Sequence, residues 1–272
     1  MGVSPRRPRP SIQIEPTYAR LCDVAARMIL ASAERAIAAR GRFSVALSGG
    51  STPRGVYERL ATAPLAAAVN WPAWQIFWGD ERWVPARHPL SNYHMACTTL
   101  LDHVPVDPER VHPMVPVGWE LLAPDRLAEA ACAYEVALAN EAALDLVLLG
   151  LGGDGHTASL FPGAEAVEEK SRWVVATPAP GGAGERELPR LTLTLLALNA
   201  AREVIFLVSG AAKSATVAAV LEDGGGAAPE PAPHLLPAAR VAPTDGQLTW
   251  LLDEDAAGDL KPSTPSRPPT RA

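Results

Sequence analysis

The segment 145–162 combines a short apolar run with a loop that is rich in glycine. The run Leu146–Leu149 has the length and the branched side chains of a strand buried in a sheet, and four glycines follow within residues 150–155. Glycine permits a sharp turn and a close approach to the backbone, and this turn also carries Asp154 and His156. Because histidine exchanges protons near neutral pH, and open α/β folds place their chemistry at strand ends, we predict an active-site loop here.

Strands and helices alternate along most of the chain. Apolar runs at 43–47, 75–78, 146–149 and 204–208 are separated by segments with helical character at 17–39, 54–61, 91–101 and 125–144. Further strands are predicted at 173–176 and 191–195. This alternation is typical of an open, mostly parallel sheet with helices on both faces. We therefore predict a Rossmann-like α/β fold in one domain, residues 12–255.

The two ends of the chain differ from this pattern. Residues 1–11 are rich in Arg and Pro, and residues 256–272 are polar and rich in Pro, so both are predicted to be disordered. A Gly/Pro-rich loop is predicted over 224–237. The N-terminus lacks the apolar core of a secretory signal, and no apolar run reaches the ~20 residues of a membrane span. A cytoplasmic protein without a membrane partner is predicted.

The composition narrows the range of partners. The formal net charge is −6 over 272 residues and no basic face stands out, which argues against a nucleic-acid partner. Three cysteines lie far apart without a C-x-x-C pair, which favours buried free thiols over a disulfide framework or a thiolate zinc site. No His/Asp/Glu spacing suggests a metal site, so no metal is predicted.

Four predicted strands end in loops that carry glycine, hydroxyl or charged groups, at 48–52, 79–82, 150–156 and 209–213. The carboxyl ends of parallel strands lie along one edge of a sheet, so these loops are expected to be neighbours. The first loop resembles an anion cradle, because glycine N–H groups and a helix start can bind phosphate. It lacks the P-loop lysine pattern. The alternative is an ordinary strand-to-helix turn. In both cases Thr52 is the predicted N-cap of the helix that follows, with Pro53 at its first position.

Three basic residues are candidate ligands of an anion. Lys213 stands at the start of a predicted helix, where its charge opposes the helix dipole, and a bound phosphate would explain that placement. Arg82 follows two acids and Arg190 begins a predicted strand; arginine can hold a phosphate or carboxylate through two parallel hydrogen bonds. A solvated lysine and structural ion pairs of the arginines are the alternatives.

Residues 150–155 also satisfy the dinucleotide pattern G-x-G-x-x-G. That motif requires a long helix after the glycines and an acid about 20 residues further on. Pro162 follows too soon for such a helix, and no strand with a terminal acid follows in register. NAD binding is therefore not predicted.

Five motifs occur in order along the chain: Ser-Gly-Gly-Ser-Thr-Pro (48–53), Gly-Asp-Glu-Arg (79–82) with Ser-Asn-Tyr (91–93), Gly-Leu-Gly-Gly-Asp-Gly-His-Thr-Ala-Ser-Leu-Phe-Pro (150–162), Arg-Leu-Thr-Leu-Thr-Leu (190–195) and Ser-Gly-Ala-Ala-Lys (209–213). Together they closely resemble the 6-phosphogluconolactonase family, and the likeness covers about residues 12–254.

The resemblance implies a fold related to glucosamine-6-phosphate deaminase. It also implies hydrolysis of 6-phosphoglucono-δ-lactone to 6-phosphogluconate in the oxidative pentose phosphate pathway, without a cofactor. The expected partner is a small sugar-phosphate lactone, and the expected assembly is a monomer or weak homo-oligomer. In the deaminase, a glutamate precedes the shared proline and takes part in acid–base chemistry. Phe161 holds that position here, which disfavours an isomerase or deaminase.

The resemblance and the residues together predict the roles of the site. His156 is the expected general base, and Asp154 is expected to orient its ring or to stabilise its cation. The predicted substrate-binding residues are Gly49, Gly50, Ser51, Thr52, Asp80, Arg82, Gly153, Arg190 and Lys213. The rival functions are a sugar-phosphate isomerase or deaminase of the same superfamily and a non-catalytic sugar-phosphate sensor. No helix-turn-helix segment supports the sensor.

Overall fold

The computed structural model describes residues 10–119, 123, 125–181, 187–224 and 236–261. Two predictions therefore fall on residues outside this description. They are the disorder predicted for residues 1–9 and 262–272, and the loop predicted over most of 224–237.

The main sheet has six strands: β1 (Ser11–Glu15), β2 (Phe43–Leu47), β3 (Trp74–Trp78), β5 (Leu146–Leu149), β8 (Glu203–Val208) and β9 (Gln247–Asp253). All six are parallel, and they lie in the order β1-β9-β8-β5-β2-β3. The chain continues from β2 to β3 on one side, whereas β5 lies on the other side of β2. This reversal of strand order is where open α/β sheets form their binding crevice. The predicted α/β class is confirmed.

A second sheet was not predicted. Strands β4 (Asp80–Arg82), β6 (Val174–Thr177) and β7 (Arg190–Leu193) form an antiparallel sheet in the order β4-β7-β6. Residues 79–82, expected as a loop, thus contain a strand. The strand predicted over 191–195 ends at Leu193, because the Thr194 hydroxyl accepts a hydrogen bond from the Ala197 N–H and begins a helix.

Seven α-helices connect the strands in the described part of the chain. They are α1 (Tyr18–Arg40), α2 (Ser51–Leu60), α3 (Leu65–Ala68), α4 (Asn92–Thr99), α5 (Arg126–Ala139), α6 (Leu195–Ala200) and α7 (Ser214–Gly224). The predicted first helix is confirmed, with Thr17 as its N-cap accepting from the Arg20 N–H at 3.2 Å. Helix α5 ends at Ala139, five residues before the predicted end at 144.

Helix α2 begins earlier than predicted. Gly50, and not Thr52, occupies its N-cap position. The Thr52 hydroxyl lies 2.8 Å from the hydroxyl of Ser209, the residue that follows β8. The cap prediction for Thr52 was therefore wrong, because tertiary contact replaced local capping.

The core lies between the main sheet and the helices. Every residue of β2 and β5 is buried, which is usual for central strands of a parallel sheet that is covered on both faces. Leu47 pairs with Trp78 and Leu149 pairs with Phe206. Strands β2 and β3 thus end level with one another, whereas β8 continues to Val208, beyond the residue that pairs with the end of β5.

The ordered chain extends beyond the predicted limits at both ends. Ser11, placed in the disordered N-terminus, lies in β1, which pairs with β9. Ala256, assigned to the tail, is 0% exposed, and Leu260 packs against the core.

Of the three free cysteines only Cys22 is buried. No described helix has both the length and the apolar character that a membrane crossing requires.

Candidate active site

One cleft of about 270 Å³ opens at the carboxyl ends of β2, β3, β5 and β8. The structure brings all nine predicted substrate-binding residues and His156 to its walls. Its described lining consists of Ser48, Gly49, Gly50, Ser51, Thr52, Pro53, Asp80, Arg82, Asn92, Gly150, Leu151, Gly152, Gly153, His156, Ala158, Arg190, Leu207, Val208, Ser209 and Lys213. The expectation that four distant loops are neighbours is confirmed.

The loop after β2 presents backbone donors to the cleft. Gly50 has a φ of 104°, a conformation that glycine adopts readily and other residues avoid. Helix α2 starts at the next residue, and the first N–H groups of a helix have no partner within it. Behind the loop, the Tyr18 hydroxyl donates to the Ser51 carbonyl at 3.0 Å. The arrangement suits an anion, since helix N-termini favour negative charge.

Asn92 lines the cleft but was absent from the predicted site. Its side-chain nitrogen donates to the Asp80 carbonyl at 2.8 Å and to the Asp80 carboxylate at 3.2 Å. Its oxygen lies so near Gly49 that a Cβ there would be 1.9 Å away. Asn92 belongs to the Ser-Asn-Tyr motif, which was the available signal. An asparagine near a helix start usually indicates capping, so its tertiary role was not deduced.

The Asp80 carboxylate is fixed from two sides. Ser159, a second residue that sequence reasoning missed, donates to its other oxygen at 2.6 Å. The Ser159 N–H in turn donates to the Thr192 hydroxyl at 3.1 Å. Asp80 is only 7% exposed, and it is one of the residues that line the cleft. This places a fixed hydrogen-bond acceptor in the cleft wall.

The His156 ring is held by a carboxylate at Nδ1 and by residues that pack against it. Its Nδ1 contacts the Asp154 carboxylate, which also accepts the His156 backbone N–H at 3.2 Å. The Phe161 ring packs on the imidazole with centroids 4.5 Å apart. Close to the ring lies Gly152, where a Cβ would be 2.0 Å from Nδ1. The carboxylate favours the tautomer with hydrogen on Nδ1, which leaves Nε2 as the proton acceptor.

The two arginines occupy different surroundings. The Arg82 Nη1 donates to the Leu90 carbonyl at 2.6 Å. Arg190 is 6% exposed, and its guanidinium lies over the Phe161 ring at 5.6 Å. Phe161 therefore contacts both Arg190 and His156. Through these contacts Phe161 holds the Arg190 guanidinium and the His156 imidazole in the same part of the site.

Lys213 lies in a single 3₁₀ turn, Ala211–Lys213, that precedes α7. Its side chain is half-buried and, within the described ranges, makes no hydrogen bond or ion pair. The adjoining helix also anchors the glycine loop, since the Thr216 hydroxyl donates to the Gly153 carbonyl at 2.9 Å. The ammonium is thus available to a ligand in the cleft.

The described cleft walls are positively charged. Arg82, Arg190 and Lys213 supply three positive charges, and Asp80 supplies the single carboxylate of the lining. The whole chain carries a formal charge of −6, so this excess is local. A positive cleft in an acidic protein favours an anionic ligand. No group of three or more metal-ligating side chains was found among the described residues.

The parallel sheet and this cleft define an α/β protein that combines positive charge with a positioned imidazole in one cleft. The sequence model described as glucosamine-6-phosphate isomerases/6-phosphogluconolactonase matches residues 16–250. The chain belongs to this family, and the resemblance predicted from the motifs is confirmed.

Curated relatives agree with this assignment. A 6-phosphogluconolactonase of Synechocystis sp. is 40% identical over 233 residues, covering 84% of this chain and 89% of the relative. One from Mycobacterium leprae is 38% identical over 262 residues, covering 92% and 98%. Both alignments include the cleft loops.

Solved structures share the fold. The 6-phosphogluconolactonase of Trypanosoma brucei superposes with a TM-score of 0.80 at 31% identity, covering 93% of this chain and 99% of that one. A monomeric glucosamine-6-phosphate deaminase superposes with a TM-score of 0.73 at 21% identity, covering 92% and 99%. The second likeness shows the shared fold alone.

Proposed function

We propose that this protein hydrolyses 6-phosphoglucono-δ-lactone to 6-phosphogluconate, the reaction named for its curated relatives. The observation that carries the proposal is the position of His156. Its Nδ1 is held by Asp154, and it shares one cleft with Lys213 and with the loop at 48–52, called the anion loop below. A lactone with a phosphate at its far end needs both features, a proton acceptor at one end and an anion site at the other.

His156 acts first as a general base. Its Nε2 takes a proton from a water molecule while the water oxygen forms a bond to the lactone carbonyl carbon. The tetrahedral intermediate then breaks its bond to the ring oxygen, and the imidazolium returns the proton to that oxygen. Asp154 stabilises the imidazolium between these steps. A positioned acid–base group of this kind contributes about 10²–10⁴ in rate.

The phosphate is bound at the other side of the cleft. Gly49, Gly50, Ser51 and Thr52 provide backbone and hydroxyl donors, and Arg82 and Lys213 provide charge. Holding the remote dianion places the carbonyl beside His156, so binding energy is used for orientation.

The sugar portion lies between these two ends. Asp80 accepts a hydrogen bond from a sugar hydroxyl, and Gly153 allows close approach of the ring. Arg190 contacts the end of the substrate nearest Phe161. The reaction consumes one water molecule for each lactone and needs no other reactant.

The decisive assay is lactone hydrolysis with the spontaneous rate subtracted, since δ-lactones open unaided in water. Enzyme-dependent production of 6-phosphogluconate is expected. A rate equal to the spontaneous rate would refute the proposal. Release of ammonia from glucosamine 6-phosphate would instead support the deaminase, a reaction for which Phe161 provides no carboxylate.

A further inference from the structure

Glu81 is a buried carboxyl group that the proposed mechanism does not use. It lies in β4 between Asp80 and Arg82, both of which line the cleft. Side chains alternate between the two faces of a strand, and Glu81 is only 2% exposed. Its side chain therefore points into the protein while its two neighbours face the cleft.

Four donors surround the Glu81 carboxylate. Oε1 accepts the N–H of Asn92 at 2.8 Å and that of Arg82 at 2.7 Å. Oε2 accepts the N–H of Tyr93 at 2.8 Å and the hydroxyl of Ser91 at 3.0 Å. Burial raises the pKa of Glu81 to about 7, although all four donors act to lower it. Such a set of donors offsets much of the cost of burying a carboxylate.

Three of these donors belong to the N-terminal turn of α4. The first N–H groups of a helix lack partners within it, and an anion at that end interacts favourably with the helix dipole. Glu81 supplies both the acceptor and the charge from a different element. It therefore fixes where α4 starts relative to β4.

The start of α4 also determines the position of Asn92. The same residue gives its backbone N–H to Glu81 and its side-chain amide to Asp80. Its amide oxygen fills the space beside Gly49, where a Cβ would come within 1.9 Å. A shift of this helix end would consequently disturb Asp80 and the anion loop together.

We propose that Glu81 is a positioning residue for lactone hydrolysis: it fixes the first turn of α4 so that Asn92 holds Asp80 and the anion loop in the geometry that binds substrate. The inference rests on the proposed function. A merely structural Glu81 would affect the stability of the fold and leave the KM of the folded enzyme unchanged.

The test compares Glu81→Gln, Asn92→Ala and the double variant. Glutamine keeps the size of the side chain but replaces one acceptor oxygen with an NH₂ group that faces two donors. The kcat and KM for the lactone are measured at about pH 7.5, together with the Kd of 6-phosphogluconate by calorimetry. Glu141→Gln is the matched control, because Glu141 is 8% exposed and pairs with Arg42 outside the cleft.

Glu81→Gln is expected to raise KM and the product Kd about tenfold, with a smaller effect on kcat. The double variant is expected to be no worse than the weaker-binding single variant, because Glu81 acts through Asn92. Multiplicative effects in the double variant, or wild-type KM and Kd in Glu81→Gln, would overturn the proposal. Glu141→Gln is expected to bind substrate like the wild type.

A second variant covers the case in which Glu81→Gln does not fold. Glu81→Asp keeps the charge on a shorter side chain, and an intermediate rise in KM and Kd is expected; wild-type values would overturn the proposal. Absence of lactone turnover by the wild type would refute the proposed function. The Kd of 6-phosphogluconate would still decide the role of Glu81.

Discussion

Replacement of Gly49 by alanine tests the geometry of the cleft most directly. The new Cβ would lie 1.9 Å from the Asn92 Oδ1 and 2.4 Å from its Cγ, distances that no real contact allows. The Asn92 amide must therefore rotate away and release its two hydrogen bonds to Asp80. Asn92 is only 2% exposed and Asp80 only 7% exposed, so the groups that lose these bonds are largely buried.

The free-energy change follows from these contacts. Two lost hydrogen bonds cost about 1 kcal/mol each, and a buried polar group left without a partner adds about 1–3 kcal/mol. The usual gain from a glycine-to-alanine change is only about 0.4–1 kcal/mol. We therefore expect Gly49→Ala to lower the free energy of unfolding by about 2–5 kcal/mol, and to raise KM because the anion loop shifts.

Denaturant unfolding of single and double variants provides the measurement. Gly79→Ala is the control, since its Cβ would meet its nearest atom, the Leu47 carbonyl oxygen, at 3.7 Å, an ordinary contact. In an Asn92→Ala background the clash is absent, so the added cost of Gly49→Ala is expected to be small. A Gly49→Ala protein as stable as the wild type, or an equal cost in both backgrounds, would refute the reasoning.

Four further predictions concern single residues. His156→Ala is expected to keep the fold and the product Kd while kcat falls about 10²–10⁴-fold; a near wild-type kcat would remove it from the mechanism. Lys213→Ala is expected mainly to raise KM, and an unchanged KM would contradict a phosphate contact. Gly55→Ala places a Cβ 2.2 Å from the Tyr18 hydroxyl and 3.0 Å from the Cys22 Sγ, so thermal unfolding should show a loss of stability, which is expected to be smaller in a Tyr18→Ala background because only the contact with Cys22 remains. Burial raises the pKa of Glu81 to about 7, so the folded state keeps a proton on Glu81 that the unfolded state has lost. The stabilisation from this proton is lost as the pH rises through 7. The free energy of unfolding is therefore expected to fall from about pH 5 to about pH 8 by more in the wild type than in Glu81→Gln.

The alternation of strands and helices was enough to predict the parallel sheet and the location of the cleft. Parallel strands end along one edge, so glycine, hydroxyl and charged residues after β2, β3, β5 and β8 had to be neighbours. Local chemistry also identified His156 with Asp154, which are two residues apart and need no long-range contact to be recognised. These features depend on chain order and short spacing.

Only the tertiary structure revealed the residues that hold the cleft together. Ser159 reaches Asp80 across 79 positions of sequence, and no spacing rule connects a loop serine with a strand carboxylate. Strands β1, β4 and β9 were likewise missed, as was the antiparallel pairing of β4, β7 and β6, because the strand state of a short segment depends on pairing with partners distant in sequence. The role of Asn92 emerged in the same way, since the contacts of its amide are set by how α4 packs and not by its neighbours in the chain.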